Sequence, residues 1–142
     1  MWQRVQTLYL AIATGLIIAL FCSNMAVVIG ANGETDTIRY TEKLPYLCLM
    51  ISLLSANLLA LILFKFRPVQ LRVAVIAGLM LIGFQIWIAM DYFNAPDGIV
   101  FKFNAIFPLI AAILDFMAVK SIYSDQLMVE SFSRLRSSRK KK

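Results

Sequence analysis

Four long apolar segments restrict most strongly how this chain can fold, because each can cross the hydrocarbon core of a bilayer as a helix. Charged residues make up only 15% of the 142 residues, well below the share of about 25% in soluble domains. A soluble domain of this size could not cover so much apolar surface, whereas in a membrane the lipid is the solvent. The sequence therefore predicts an all-α membrane protein with four transmembrane helices in two hairpins.

The first three apolar segments are uncharged, and the fourth contains Asp115 and Lys120. The predicted helices cover residues 5–29, 44–64, 73–90 and 105–123. The first lacks the short apolar core and the cleavage site of a signal peptide, so we expect it to be retained. The chain is thus predicted to form a four-helix transmembrane domain over residues 1–123, followed by a basic cytoplasmic tail over residues 124–142.

The distribution of lysine and arginine predicts the orientation. Eleven of the 14 basic residues lie on the side of the chain ends, namely Arg4, Lys65, Arg67, Arg72, Lys120, Arg134, Arg136, Arg139, Lys140, Lys141 and Lys142. The two loops on the other side contain Arg39, Lys43 and Lys102, and each loop has a net charge of −1. Positively charged loops remain in the cytoplasm, so both termini are predicted to be cytoplasmic. We expect Tyr40 and Tyr46 to be interfacial anchors at the outer membrane surface.

Three polar residues inside the segments are candidates for intramembrane contacts: Asp115, Asn57 and Gln85. A charged carboxylate facing lipid is costly, so Asp115 should face the bundle or a partner, or be protonated. Asn57 and Asp115 lie at similar predicted depths and could meet, whereas Gln85 lies nearer the outer face. A packing contact and a proton or cation site are both open. The lack of a second titratable residue at this depth favours the contact.

The residues needed for catalysis are not evident in the sequence. It contains no histidine, and no nucleophile with a base, metal-ligand cluster or phosphate loop can be recognised. We therefore expect no enzymatic activity, no catalytic residue, no metal and no cofactor. Cys22 and Cys48 both fall in the outer halves of their helices, where we expect free thiols rather than a disulfide.

The tail contains a second candidate contact surface. Leu127, Met128, Phe132 and Leu135 fall near one helical face, which predicts an amphipathic helix that continues or restarts after the fourth span. Its basic residues, together with Lys65, Arg67, Arg72 and Lys120, are candidates for contact with anionic lipid headgroups or a cytoplasmic partner. Ribosomal RNA is one such partner for the tail, and DNA is not expected.

Both ends of the chain resemble a known family. The opening sequence MWQRVQTLYL (1–10), the stretch FPLIAAILDFMA (107–118) and the region 124–136 ending in Arg-Leu-Arg are similar to domain-of-unknown-function family 4293. These are small four-helix inner-membrane proteins of Bacteroidota. The resemblance implies the same four-span topology and an inner-membrane location, and it implies no activity. Asn is commoner in the family where Asp115 stands, which weakens a proton-relay role.

Small size, short loops and the absence of a catalytic set favour a non-enzymatic accessory subunit of a larger inner-membrane complex. The protein-export translocon is one candidate complex, because a basic cytoplasmic tail could meet the ribosome there. The alternative is a small homo-oligomeric transporter or channel that uses the polar residues of helices 2–4.

Overall fold

Four long helices dominate the computed structural model, which describes residues 2–140 except for the side chains of Trp2, Gln3 and Lys140. All four are long and apolar enough to cross a membrane, as in a multi-pass membrane protein. The helices are α1 (Trp2–Phe21), α2 (Leu44–Ile62), α3 (Arg67–Phe93) and α4 (Phe107–Lys140). Single 3₁₀ turns follow α2 at Leu63–Lys65 and precede α4 at Phe103–Ile106.

The helices form a ring in which each packs against two others. Helix α4 packs along both α1 and α3, and α2 packs along the opposite side of the same two helices. Buried apolar residues recur at helical spacing on the inner faces, for example Leu10, Ala13 and Ile17 in α1. Large apolar side chains on the outer faces, such as Leu8 and Leu79, are more than half exposed, which suits helices surrounded by lipid.

A three-stranded antiparallel sheet joins the helix ends on one side of the bundle. Its strands are β1 (Asn24–Ile29), β2 (Thr35–Arg39) and β3 (Ile99–Phe101), in the order β2-β1-β3. It connects the C-terminal ends of α1 and α3 with the N-terminal ends of α2 and α4. We call this side of the bundle the sheet end and the opposite side the terminal end. The all-α prediction is wrong here, since the structure is mostly but not entirely helical.

The first apolar segment is divided between a helix and a strand, so the predicted helix over residues 5–29 is too long. Helix α1 ends at Phe21, where the backbone N–H and the hydroxyl of Ser23 both bond to the carbonyl of Leu20 at 3.1 Å. The β-branched residues that follow in β1 pair with β2 and β3. Continuous apolarity concealed this change, because an apolar run does not distinguish helix from strand.

The other helices also differ in length from their apolar segments. Helix α3 includes Arg67 and Arg72, and Pro68 fits its first turn because the missing N–H needs no partner there. Helix α4 continues without a break through residues 124–140, so the predicted tail extends the fourth helix. Cys22 and Cys48 are free, as predicted, and both are exposed.

Tyr40 and Tyr46 lie inside the protein, which makes their prediction as interfacial anchors wrong. Their side chains are 0% and 2% exposed, and both rings pack against Phe84 of α3. The Tyr46 hydroxyl donates to Asp91 at 2.8 Å, and Lys43 pairs with the same carboxylate at 3.2 Å. Burial raises the pKa of Tyr40 to about 12, so its hydroxyl stays neutral at physiological pH. These contacts attach the sheet end to the bundle.

Gly98 occupies a position in the connection between α3 and α4 that only glycine fits. Its φ is +100°, and an added Cβ would lie 3.1 Å from the carbonyl oxygen of Ile29. The Gly98 carbonyl in turn accepts a hydrogen bond from the Ile29 N–H at 2.8 Å. Replacing Gly98 therefore strains both the turn and its contact with β1.

We predict that Gly98→Ala lowers the free energy of unfolding by about 1–3 kcal/mol, because alanine is strained at this φ and approaches Ile29 too closely. Gly15→Ala is the matched control, since its Cβ would meet nothing within 4 Å. That change should be neutral or stabilising by up to about 1 kcal/mol, as alanine favours helix. Thermal unfolding in mild detergent measures both, and equal midpoints for the two variants would contradict the prediction.

Candidate functional site

The most deeply enclosed polar groups lie on the axis of the bundle. Asn57 in α2 and Asp115 in α4 are both 0% exposed, although α2 and α4 are diagonally opposite. Helix α3 approaches closely at this level, because a Cβ on Gly78 would lie 3.6 Å from the Asp115 Cβ and 3.4 Å from the Phe116 ring. The predicted proximity of Asn57 and Asp115 therefore depends on a small residue, Gly78, in α3.

Apolar layers enclose this polar pair on both sides. One turn towards the terminal end, the four helices contribute Leu10, Ala60, Ala74 and Ala118 to a buried cluster. Towards the sheet end lies the main core, which includes Leu53, Leu81 and Ala111. The pair therefore has no contact with water in this conformation, and any ligand of Asp115 must replace an existing packing contact.

Some hydrogen-bonding atoms of Asn57 and Asp115 have no partner among the described residues. The Asn57 side chain lies beside the Asp115 carboxyl. Its Nδ2, however, donates a hydrogen bond to the Leu53 carbonyl at 3.2 Å. Both Asp115 oxygens and the Asn57 Oδ1 lack a hydrogen-bond partner within the described residues. The nearby Thr14 hydroxyl bonds to the carbonyl of Leu10 at 2.7 Å. An unpartnered buried carboxyl is costly, and it is the group here that could hold a proton or bind a donor from a partner.

Gln85 does not join the pair. It lies seven residues beyond Gly78 along α3, about 10 Å towards the sheet end. Its side chain is partly exposed, and its Oε1 is buried without a hydrogen-bond partner among the described residues. The three candidates thus occupy two levels of the bundle, and only Asn57 and Asp115 lie together.

Two buried glutamines near the terminal end were missed in the sequence. Gln6 is 5% exposed and Gln70 is 3% exposed. Each lies four residues before a core residue of its own helix, Leu10 or Ala74, and so continues the inward stripe. This spacing was the available signal, but both residues stand near helix ends, where polar side chains are expected at the headgroups.

The second candidate site is the part of α4 that extends beyond the bundle. Residues 129–139 are all exposed, and α4 has 34 residues in total. Four apolar side chains fall within an arc of about 140° on this extension. This α4 stripe, as we call it, consists of Leu127, Met128, Phe132 and Leu135, which are about half to two-thirds exposed. No part of the described chain covers it.

The predicted headgroup residues fall into two groups. Arg67 forms an ion pair with Asp125 at 3.2 Å, which connects the start of α3 to α4 at the terminal end. Other basic side chains are exposed, namely Lys65, Arg72, Lys120, Arg134, Arg136 and Arg139. The side chain of Lys140 and all of Lys141 and Lys142 lie outside the described residues. Among the described side chains of this set, Arg67 is therefore the one that forms an ion pair within the bundle.

A small cavity at the sheet end was also missed in the sequence. It has a volume of about 180 Å³ and lies between the sheet and the end of α3. Its only charged lining residues are Lys43 and Asp91, which pair with each other. Since these charges neutralise one another, the arrangement favours a structural contact over a ligand site.

We predict that Asp115→Asn raises the free energy of unfolding by about 1 kcal/mol, because a neutral amide of similar size replaces a buried carboxyl and can bond to Asn57. Asp97→Asn, in the exposed turn, is the control and should change stability by less than about 0.5 kcal/mol. Thermal unfolding in detergent measures both. A clear loss of stability in Asp115→Asn would instead reveal a bound partner of the carboxyl.

Comparison with known proteins gives a family and no function. No curated protein and no solved structure matches this chain. The model of a family described as a domain of unknown function matches residues 2–135, which is nearly the whole chain and includes Asn57, Asp115 and the α4 stripe. The resemblance seen at the two ends of the sequence is therefore confirmed over residues 2–135, and the chain belongs to domain-of-unknown-function family 4293.

Proposed function

We propose that this chain is a non-enzymatic accessory subunit of a larger assembly in the inner membrane of a Bacteroidota bacterium, with both termini in the cytoplasm. The orientation is supported by the concentration of basic residues at the terminal end. In that orientation the sheet faces the outer side of the membrane and the α4 extension enters the cytoplasm.

The uncovered α4 stripe is the observation that carries this proposal. Helix α4 spans about 51 Å at 1.5 Å per residue, whereas the hydrocarbon core is about 30 Å thick. No proline, glycine or 3₁₀ turn interrupts the helix between the bundle and Lys140, so the extension continues away from the membrane. The far half of the stripe, Phe132 and Leu135, lies about 10–15 Å along α4 from Asp125, which pairs with the start of α3, and exposure of these side chains in water is costly. A groove on a partner protein would cover them.

The charge of the extension indicates which kind of partner to seek. Arg134, Arg136 and Arg139 lie beside or beyond the end of the stripe, and Glu130 is the one acidic residue between 129 and 139. A partner with an apolar groove and acidic or phosphate groups beside it fits this pattern. The protein-export translocon is one candidate, because ribosomal RNA at its cytoplasmic side would supply phosphate groups for the basic residues. It is the assembly we propose to test first.

Purification of the tagged full chain in mild detergent tests the accessory role. We expect a stoichiometric partner to co-purify with the wild type and to be lost from the double variant Phe132→Ser/Leu135→Ser. Val129→Ser is the control, because Val129 is also an apolar residue of the extension that is more than half exposed, but it lies about 60° outside the stripe. It should retain the partner.

Two outcomes would count against the accessory role. The first is migration of the wild type as a lone chain or a small homo-oligomer with no partner. The second is equal loss of the partner from the control and the stripe variants. RNase treatment during purification separates a contact made through RNA from one made through protein.

A homo-oligomeric transporter or channel is the second candidate, and the unpartnered Asp115 carboxyl favours it. The enclosure of Asp115 requires the bundle to open, or several copies to assemble, before an ion reaches it. In reconstituted vesicles with an imposed pH gradient, Asp115→Asn should abolish proton flux while Asp97→Asn leaves it intact. Unchanged flux in Asp115→Asn, or no flux in the wild type, would exclude this role.

A further inference from the structure

A groove between α1 and α4 near the terminal end has the features of a lipid site. Its volume is about 410 Å³, within the range of about 300–1,000 Å³ typical of small-ligand pockets. It is lined by Val5, Tyr9, Met117, Lys120, Ser121 and Ser124. Apolar side chains that can contact an acyl chain, and a lysine and two serines that can bind phosphate, thus line one groove on the outer surface of the bundle.

The polar groups of the groove are not committed elsewhere in the described chain. Lys120 has no ion-pair partner among residues 2–140, although Arg67 nearby is paired with Asp125. The Ser121 hydroxyl is buried and has no hydrogen-bond partner in the described structure. A buried hydroxyl is ordinarily satisfied, and a lipid oxygen that enters the groove would supply the partner that Ser121 lacks within the described chain.

The depth of the groove matches the headgroup region. Asp125 pairs with the first residue of α3 and so marks the terminal-end boundary of the bundle. Ser124 lies beside that level, and Ser121 and Lys120 lie about 6 Å and 7.5 Å further into the bundle along α4. A lysine at this depth extends its ammonium group towards the headgroups. The hydroxyl and the ammonium therefore lie where lipid phosphates and ester oxygens are found.

The apolar walls decide between lipid and free phosphate. Val5 and Met117 face the groove and would be left uncovered by an inorganic anion. An acyl chain would cover both, and the attraction of one basic residue for an anionic headgroup adds to that contact. We propose that this groove binds one anionic glycerophospholipid, with Lys120 and Ser121 holding the phosphate and Val5 and Met117 contacting an acyl chain.

The experiment uses the purified full chain in mild detergent and titrates phosphatidylglycerol while native mass spectrometry counts bound lipids. We expect one preferred lipid per chain and a lipid-dependent rise in the thermal unfolding midpoint. Lys120→Gln should weaken the apparent affinity roughly five-fold, which is the effect expected of one charge near the headgroups. Adding Ser121→Ala to Lys120→Gln should weaken the apparent affinity further. The conservative variant Lys120→Arg should retain binding.

The control variant is Lys102→Gln, which removes an exposed lysine at the sheet end, away from the groove. It should bind like the wild type. Diacylglycerol, which lacks phosphate, and inorganic phosphate, which lacks acyl chains, should both fail to raise the unfolding midpoint. Equal binding by the Lys120→Gln, Lys102→Gln and wild-type proteins, or stabilisation by inorganic phosphate alone, would overturn the lipid site. These readouts need no protein partner of the α4 stripe, so they are independent of the accessory role.

Discussion

Close approach of the helices at small side chains is the constraint on which the rest of this bundle depends. Ala60, Ala74 and Ala118 face one another in a single layer, and Gly78 lies against Asp115 and Phe116 in the next. Lipid provides little hydrophobic force between helices, so their association relies on such packing. Because the helices approach closely here, Asn57 and Asp115 come together across the diagonal of the ring and are sealed from solvent.

Much of the helical architecture could be predicted because lipid imposes a simple rule on length and polarity. The same rule explains why Asn57 and Asp115 were expected at one depth. The sheet was hidden, since the residues of β1 are as apolar as the helix that precedes them. Tyr40 and Tyr46 were misplaced because aromatic residues at a helix start suit the membrane interface and a buried cap equally well.

The candidate sites were harder to predict than the helices. Gln6 and Gln70 look like headgroup residues in the sequence, and only packing shows that they face inwards. The groove at Lys120 requires knowing that α1 lies against α4, a contact between opposite ends of the chain. Helix α4 supplies the buried carboxyl, the groove and the α4 stripe, so the last helix carries most of the polar chemistry while the other three position it.

The pairing of β1 with β3 has a consequence for biogenesis. Ala26 pairs with Phe101 and Val28 with Ile99, and both α2 and α3 lie between these partners in the chain. Strand β2 directly follows β1 in the chain, whereas β3 is synthesised only after α2 and α3, so the β3 edge of β1 can be paired only when both of those helices have been made. A closed sheet therefore requires that α1, α2 and α3 have reached their final positions in the bundle.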